Sequence, residues 1–527
     1  MNILKRHKYL IFIILLGTFL RLISLLYNPP SLYGDELTLV YDSYSLLKTG
    51  GYDSTGQFLP VTFSMGAGRP AGYVYLSIPF VALFGPTALG VRMLSMISGV
   101  GLIILVFLIS KKIFNEKVGL ITALLSAISI WDIGLSRAGF EAHLALFLVT
   151  LAIYLLLGLS KNYWRWGLSA ICFSLVMHTY PTYKLSLPIL LGLLAFYHRK
   201  FITSHLKQAL IFLGVISIFI FISALQLLFN QSEIRFNTIN IFAKNDLKQQ
   251  IITKVNNDRN LSILPDGLKS LFYNQPLEYS SKLLNSYLDN FSLSYLLISG
   301  DGNPRHNPSG MGVVYFVEII TLIFGLLVLL SSKFSLKILL LGWLLIAPIP
   351  TTLLLESHSL RNSFMLPPIL MISALGITYL LENQKNKANK YLLALVAVGF
   401  IWQFIFFFQN LLFLDPATHS SFWSTSAKEA VTLVNMEKQN YDYVLLSDRL
   451  DNSEFAYQVY TPVDPNIEIK QFKNKYDLYG LKVKKIDNVY IGGFKSVETA
   501  ELMKKLPGRV LYIAPNENQN SFSVTKK

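Results

Sequence analysis

Cysteine is all but missing from this chain. The only one, Cys172, lies inside an apolar run, so neither a disulfide framework nor a cysteine metal site can be built. Acids are scarce too: 31 Asp and Glu stand against 46 Lys and Arg, a formal charge of +15. That excess would suit nucleic acid in a soluble protein, but 52% of the 527 residues are hydrophobic and mean hydropathy is +0.45. Apolar runs of spanning length recur, which excludes a soluble enzyme and assigns the surplus cations to cytoplasmic loops; no nucleic-acid partner is expected. No small-residue cleavage site follows Lys5-Arg6-His7-Lys8 and the apolar run from Tyr9 to Leu26, which reads as an uncleaved first span. The chain also has no convincing internal repeat, no long low-complexity tract and no Gly-rich phosphate loop; Gly492-Gly493 reads as a turn.

What is present is a series of apolar segments. At about 20 residues per crossing, the sequence predicts eleven spans, near 9–27, 88–110, 118–136, 140–159, 166–180, 184–198, 208–229, 311–331, 336–355, 363–381 and 391–413. Tyr73 to Phe84 is too short to cross and reads as an interfacial or re-entrant helix. Lys111, Lys112 and Lys117, then Arg199, Lys200 and Lys207, then Lys385, Lys387 and Lys390 fall in loops on the side of the N-terminus. The positive-inside rule makes that side cytoplasmic. The reading is an all-α polytopic bundle over 1–413, with external loops 28–87 and 230–310, in the plasma (inner) membrane with the N-terminus cytoplasmic. Residues 414–527 change character. A helix over Ser424 to Gln439, strands at Tyr443 to Ser447, Val489 to Gly492 and Val510 to Ile513, and a helix from an N-cap serine at Ser496 to Leu506 predict a small extracytoplasmic α/β domain.

Ionisable groups are costly in a membrane bundle and mark cavities. Here they gather on the outer side. Asp35 and Glu36 follow the first span and Arg69 lies in the same external loop; Arg137 ends one span, and Glu141 and His143 open the next. Tyr180, Tyr183 and Lys184 form another group, Asp301, Arg305 and His306 a fourth, and His358 and Arg361 a fifth. Each group has a plainer explanation. Asp35 and Glu36 suit the first turn of a helix, Arg137 and Glu141 can pair one turn apart, and Arg361 can snorkel. The set on one side of one membrane is harder to explain that way.

The chemistry that fits is transfer of a sugar from a lipid phosphate. Arg69, Arg305, Arg361 and Lys184, with His306, are candidates for the donor phosphate. Asp35, supported by Glu36, is the candidate base for the acceptor, and Arg137, Glu141, His143, Tyr180, Tyr183 and His358 are candidate substrate contacts. The leaving group is already an anion, so no general acid is required, and one base on one face inverts the anomeric centre. No obligatory cofactor is expected. A divalent cation at Asp35, Glu141 and His143 is considered, but these offer fewer oxygen donors than a hard ion needs, and no metal site is assigned. A transporter or flippase of lipid-linked saccharides is the rival, disfavoured because the charges sit at one surface rather than at the midplane of symmetric halves.

The motifs Gly34-Asp35-Glu36, Gly68-Arg69-Pro70-Ala71-Gly72-Tyr73, Leu83-Phe84-Gly85, Gly90-Val91-Arg92 and Ser136-Arg137 with Glu141, in this order, are similar to those of GT-C membrane glycosyltransferases. The Tyr180-Pro181 region, the Gly-Asp…Arg-His…Pro…Gly pattern ending at Gly310, and His358 and Arg361 before Pro367 extend the likeness over roughly the first 380 residues. The chain thus resembles the glycosyltransferase family 39-like group of protein O-mannosyltransferases and lipid A aminoarabinose transferases. Arg69 stands where the aminoarabinose transferases carry a lysine, and Glu141 where an aspartate is common. The resemblance implies a GT-C fold and inverting hexosyl or pentosyl transfer from an undecaprenyl- or dolichyl-phosphate sugar. The implied acceptor is a lipid, a cell-envelope glycan or a protein, with Asp35 as base or acceptor-binding carboxylate. Membrane lipids are the remaining expected partners.

Overall fold

The computed structural model describes residues 8–63, 68–157, 162–229, 245–332, 337–516 and 521–527. Its contacts divide the chain into two compact units, one of 1–20, 98–135 and 141–408, the other of 21–97, 136–140 and 409–527.

The first unit is helical. A helix stands at each predicted apolar segment, but the boundaries tell more than the count. Four helices among the described residues are long and apolar enough to cross a membrane: Lys8–Leu25, Ala88–Ile113, Ser363–Glu382 and Lys387–Thr418. The segment predicted as one span over 118–136 is two helices, Glu116–Ile128 and Ile130–Ser136, bent by 54°, and would make a fifth. Six further apolar helices are only 10–17 residues long, so length and composition do not establish the predicted eleven. The bend falls at Ser129, whose backbone leaves the helix at ψ 129° and whose Oγ accepts from the amide of Asp132 3.2 Å away, opening the second helix. The span expected to begin at 311 begins at Glu318. Before it, the amides of Val313 and Val314 donate to Tyr295 and Leu296, so this stretch pairs with the preceding turn and does not extend the helix.

Close packing replaces the hydrophobic effect between helices in lipid, and small residues permit it. Glu318–Ser331 packs along Leu366–Glu382, with Gly325 against the carbonyl of Ile372 and Gly376 against that of Thr321. Thr321 and Ser373 share a hydrogen bond of 2.7 Å at the same crossing.

The second unit holds the helix that follows the first apolar segment and the C-terminal sheet. Helix Gly34–Thr49 has Asp35 and Glu36 in its first turn and Lys48 in its last, matching the dipole, and Gly50 ends it at φ 74°. It packs against Gly72–Phe84, the helix predicted as too short to cross. Between them a two-residue antiparallel pair, β1 (Thr62–Phe63) and β2 (Arg69–Pro70), places Arg69. The C-terminal strands are β3 (Tyr443–Ser447), β4 (Tyr476–Leu478), β5 (Leu481–Ile486), β6 (Val489–Gly492), β7 (Val510–Pro515) and β8 (Phe522–Lys526), ordered β4-β5-β6-β3-β7-β8. The central strand β3 runs parallel to β6 and β7, and the outer pairings are antiparallel. Val444–Leu446 in β3 and Val510–Ala514 in β7 are unbroken buried apolar runs, as strands covered on both faces require, while β8 is largely exposed at the edge. In helix Ser496–Lys505 the N-cap position falls on Lys495, one residue before the predicted serine, and its side chain makes no capping hydrogen bond.

Candidate active-site groups

In the second unit, Asp35 and Glu36 part company. Asp35 keeps 53% of its side chain exposed, while Glu36 is fully buried. Adjacent helical residues are turned about 100° apart, so one can face outward as the next faces the core. Arg69, itself buried, reaches Asp35 from β2: Nη2 donates to Oδ1 at 2.7 Å, and Nη1 donates to Thr38 Oγ1 at 2.7 Å and to the Asp35 carbonyl. The Asp35 carboxylate is therefore held at a fixed place with half its surface outward. Arg69 was a candidate for the donor phosphate; here its two terminal nitrogens are engaged in holding Asp35 and Thr38.

Glu36 forms a different structure. Arg92 meets it with Nε to Oε1 and Nη2 to Oε2, both at 2.8 Å, and the amide of Gly139 donates to Oε1 at 2.8 Å. Arg92 also donates to the carbonyls of Pro29 and Ser31. Nearby, buried Arg137 donates to Asp415 Oδ2 at 3.0 Å, and Asp415 also accepts from Asn28 at 2.6 Å and contacts His419 at 2.8 Å. Trp423 has the Arg137 guanidinium over its ring at 5.0 Å and that of Arg92 at 5.9 Å, with Tyr33 edge-on at 5.5 Å. Arg137 thus lies in a buried charge network. Sequence reasoning assigned no role to Arg92, Asp415 or Trp423; the Gly90-Val91-Arg92 motif was the one available signal.

In the first unit, the predicted groups fall into two clusters. His143 is buried against Asp132, Nε2 to Oδ1 2.9 Å, and Asp132 also accepts from Ser126 Oγ at 2.9 Å. Tyr180 hydrogen-bonds Arg361, which is ion-paired to Glu356, and lies within electrostatic reach of Glu141. Tyr183 hydrogen-bonds Ser363. Lys184 is exposed at the start of its helix.

The other cluster is Asp301, His306 and His358, whose ligand-type atoms lie within 4.8 Å of one another. His306 Nδ1 is 3.2 Å and His358 Nδ1 3.7 Å from the same Asp301 oxygen, and the rings are 4.5 Å apart. Burial pushes His306 down, against the pull of Asp301. Burial also takes His358 down, to about 4, with His306 adding to the effect. Burial would raise Asp301, but the His306 hydrogen bond and charge, His358 and the Asn303 amide outweigh it and hold the carboxyl well below its usual range. Near neutral pH the trio is one carboxylate with two neutral imidazoles, a donor set that could hold a divalent ion. Arg305 neighbours it, and the sequence pattern around Gly300-Asp301 had marked this loop without assigning Asp301 a role.

The fold that carries these groups is that of GT-C glycosyltransferases. Residues 69–225 match the family described as dolichyl-phosphate-mannose-protein mannosyltransferase, which supports the resemblance read from the motifs. The structure of ArnT from Cupriavidus metallidurans bound to undecaprenyl phosphate is similar over 99% of this chain and 98% of that one, with a TM-score of 0.57 and 9% identity. The Archaeoglobus fulgidus oligosaccharyltransferase in complex with Zn and sulfate is similar over 85% of this chain, with a TM-score of 0.53 and 12% identity. The match spans 61% of that longer protein. AglB from the same organism, in complex with an inhibitory peptide and a dolichol-phosphate, gives 0.50 and 14%, over 86% of this chain and 64% of that one. At these identities the likeness is one of fold. No curated protein sequence matches the chain.

Proposed function

We propose that this chain is an inverting glycosyltransferase that moves a hexosyl or pentosyl group from a polyprenyl-phosphate-linked donor to a lipid, cell-envelope glycan or protein acceptor. The reaction takes place on the outer side of the plasma (inner) membrane. The proposed topology has eleven crossings, a cytoplasmic N-terminus, a transmembrane domain over 1–413 and an extracytoplasmic domain over 414–527.

The Asp35–Arg69 pair carries the reading. A general base must present a carboxylate that is both fixed and reachable, and Asp35 is half-exposed yet anchored through one oxygen by a buried guanidinium at 2.7 Å. In the proposed step Asp35 takes the proton from the acceptor hydroxyl or amine as that atom attacks the anomeric carbon. The bond from the anomeric carbon to the phosphate oxygen breaks, and polyprenyl phosphate leaves with the electron pair. Arg305 and Arg361, with Lys184 and His306, are the proposed cations for the donor phosphate. Glu141, Tyr180, Tyr183 and His358 are proposed substrate contacts. Arg69 is a positioning residue for Asp35, and Glu36, Arg137 and His143, buried in pairs, act through the groups they hold. None of these steps uses a metal, and a divalent cation remains compatible with them.

The test is release of polyprenyl phosphate from a panel of polyprenyl-phosphate sugars by purified protein, with and without acceptor, beside Asp35→Asn. Release that tracks acceptor transfer and disappears in the variant is the expected result. Equal release by the variant would remove Asp35 from the mechanism.

A further inference from the structure

We propose that Asp301, His306 and His358 form a binding site for one zinc-class divalent ion, which ties together two loops of the first unit. The geometry is the first argument. Zinc–ligand bonds of about 2.0–2.2 Å place two ligands of a tetrahedral ion about 3.3 Å apart. The two Nδ1 atoms lie 3.2 and 3.7 Å from Asp301 Oδ2, close to that edge length. Two imidazoles and one carboxylate select zinc and its transition-metal neighbours over magnesium or calcium, which prefer all-oxygen shells.

The second argument is an unsatisfied atom. His358 Nδ1 is buried and has no hydrogen-bond partner, since 3.7 Å to Asp301 exceeds hydrogen-bond reach. A buried ring nitrogen in that state calls for a ligand that completes it. An ion drawn to all three groups would do so.

The surroundings are built to hold the donors. The amide of Ser359 donates to Asp301 Oδ2 at 2.7 Å and that of Asn303 to Oδ1 at 2.9 Å, which fixes the carboxylate as outer-shell partners of metal ligands do. Asn307 ties the first loop through its bonds to the Ser299 and Asp301 carbonyls, and Trp131 Nε1 anchors the second at Ser359. The neighbouring charges are Arg305 and Arg361, both of which act on His306, and Glu356, paired to Arg361. The arginines oppose a cation, so affinity must come from the three direct ligands. Two of those ligands lie on the loop of Arg305 and the third on that of Arg361. An ion would therefore hold both arginines in place, a consequence that rests on their proposed donor-phosphate role.

The test needs no donor. Full-length protein in detergent, stripped with a chelator and titrated with zinc chloride against a chromogenic competitor, should bind one zinc per chain and melt higher when loaded. Asp301→Asn and His358→Ala should lower affinity by at least about 10–100-fold. His358→Cys exchanges one donor for another; with cobalt(II) it should bind and show a thiolate-to-cobalt charge-transfer band that the parent lacks. No zinc binding by folded stripped protein, unchanged affinity in the Asn and Ala variants, or cobalt binding by the Cys variant without the band would each overturn the site. Zinc binding without sugar transfer would leave this site standing and overturn only the proposed function.

Discussion

Asp35 and Glu36 are adjacent and chemically alike, and the structure predicts opposite consequences for neutralising them. Glu36→Gln keeps the shape but leaves Arg92, 2% exposed, without its countercharge. Breaking one side of a buried ion pair costs about 3–5 kcal/mol, a large part of the stability of any domain. The glutamine amide would also point a donor at one of the two Arg92 nitrogens that now donate to the carboxylate. Asp35→Asn removes half of an ion pair whose acid is 53% exposed. Arg69 is buried, but solvent reaches the carboxylate side of the pair and the asparagine oxygen can still accept from Arg69, so the loss should be smaller than for Glu36→Gln. Its effect should instead be on rate, a fall of about 100- to 10,000-fold for a lost general base. Thermal melting of both variants in detergent, beside polyprenyl-phosphate release, separates the two effects. Asp35→Asn should melt nearer the parent than Glu36→Gln does and turn over almost nothing, while Glu36→Gln should be recovered poorly or melt much lower. A Glu36→Gln protein that melts normally but is inactive, beside an active Asp35→Asn protein, would reverse the assignment.

Three further perturbations follow from the same geometry. Arg69→Ala should lower kcat by roughly tenfold or more and leave the KM for donor nearly unchanged, because the guanidinium acts through Asp35; a rise in KM alone would return it to the donor phosphate. Burial, resisted by the Ser54 hydrogen bonds, raises Asp42 from 3.8 to about 7. The folded chain therefore keeps a proton that the unfolded chain loses between those values. The stabilisation is full below the lower value and lost as pH rises through the upper one, so the melting temperature of Asp42→Asn should fall less than that of the parent over this window. Gly376→Val sets a side chain against the Thr321 backbone and should disrupt the helix crossing, whereas Gly214→Ala, with nothing within 4 Å, should melt as the parent does.

Much of the helical order was legible because spanning segments must be apolar over their length, whatever they pack against. The ends were not, because Ser129 and the 311–317 stretch break helices through local hydrogen bonds rather than through hydropathy. In the C-terminal part, Tyr443–Ser447 and Val489–Gly492 are strands as predicted, since their runs are apolar and short. Strand β5, with three lysines in six residues, gave no such signal. One of those lysines, Lys484, is buried between Glu454 and Glu468, and only the fold supplies its partners.

The candidate site divides along the same line. Residue types that chemistry demands, such as an acid after the first apolar segment and cations in the loops between later ones, can be picked out from a sequence. Their partners cannot, because the pairs are distant: Arg137 meets Asp415 across 278 residues, and Glu36 meets Arg92 across 56. Nor can the sequence say which of two neighbouring acids turns inward. Helix Gly34–Thr49 is buried over most of its circumference, with Glu36 through Ser43 and then Ser45 and Leu46 all enclosed, so periodicity marks no exposed face on which to place Asp35. What distinguishes it is Arg69. A buried guanidinium on a two-residue strand holds the one carboxylate in this turn that keeps an open side, and that difference in environment is why Asp35 rather than Glu36 is the residue to test first.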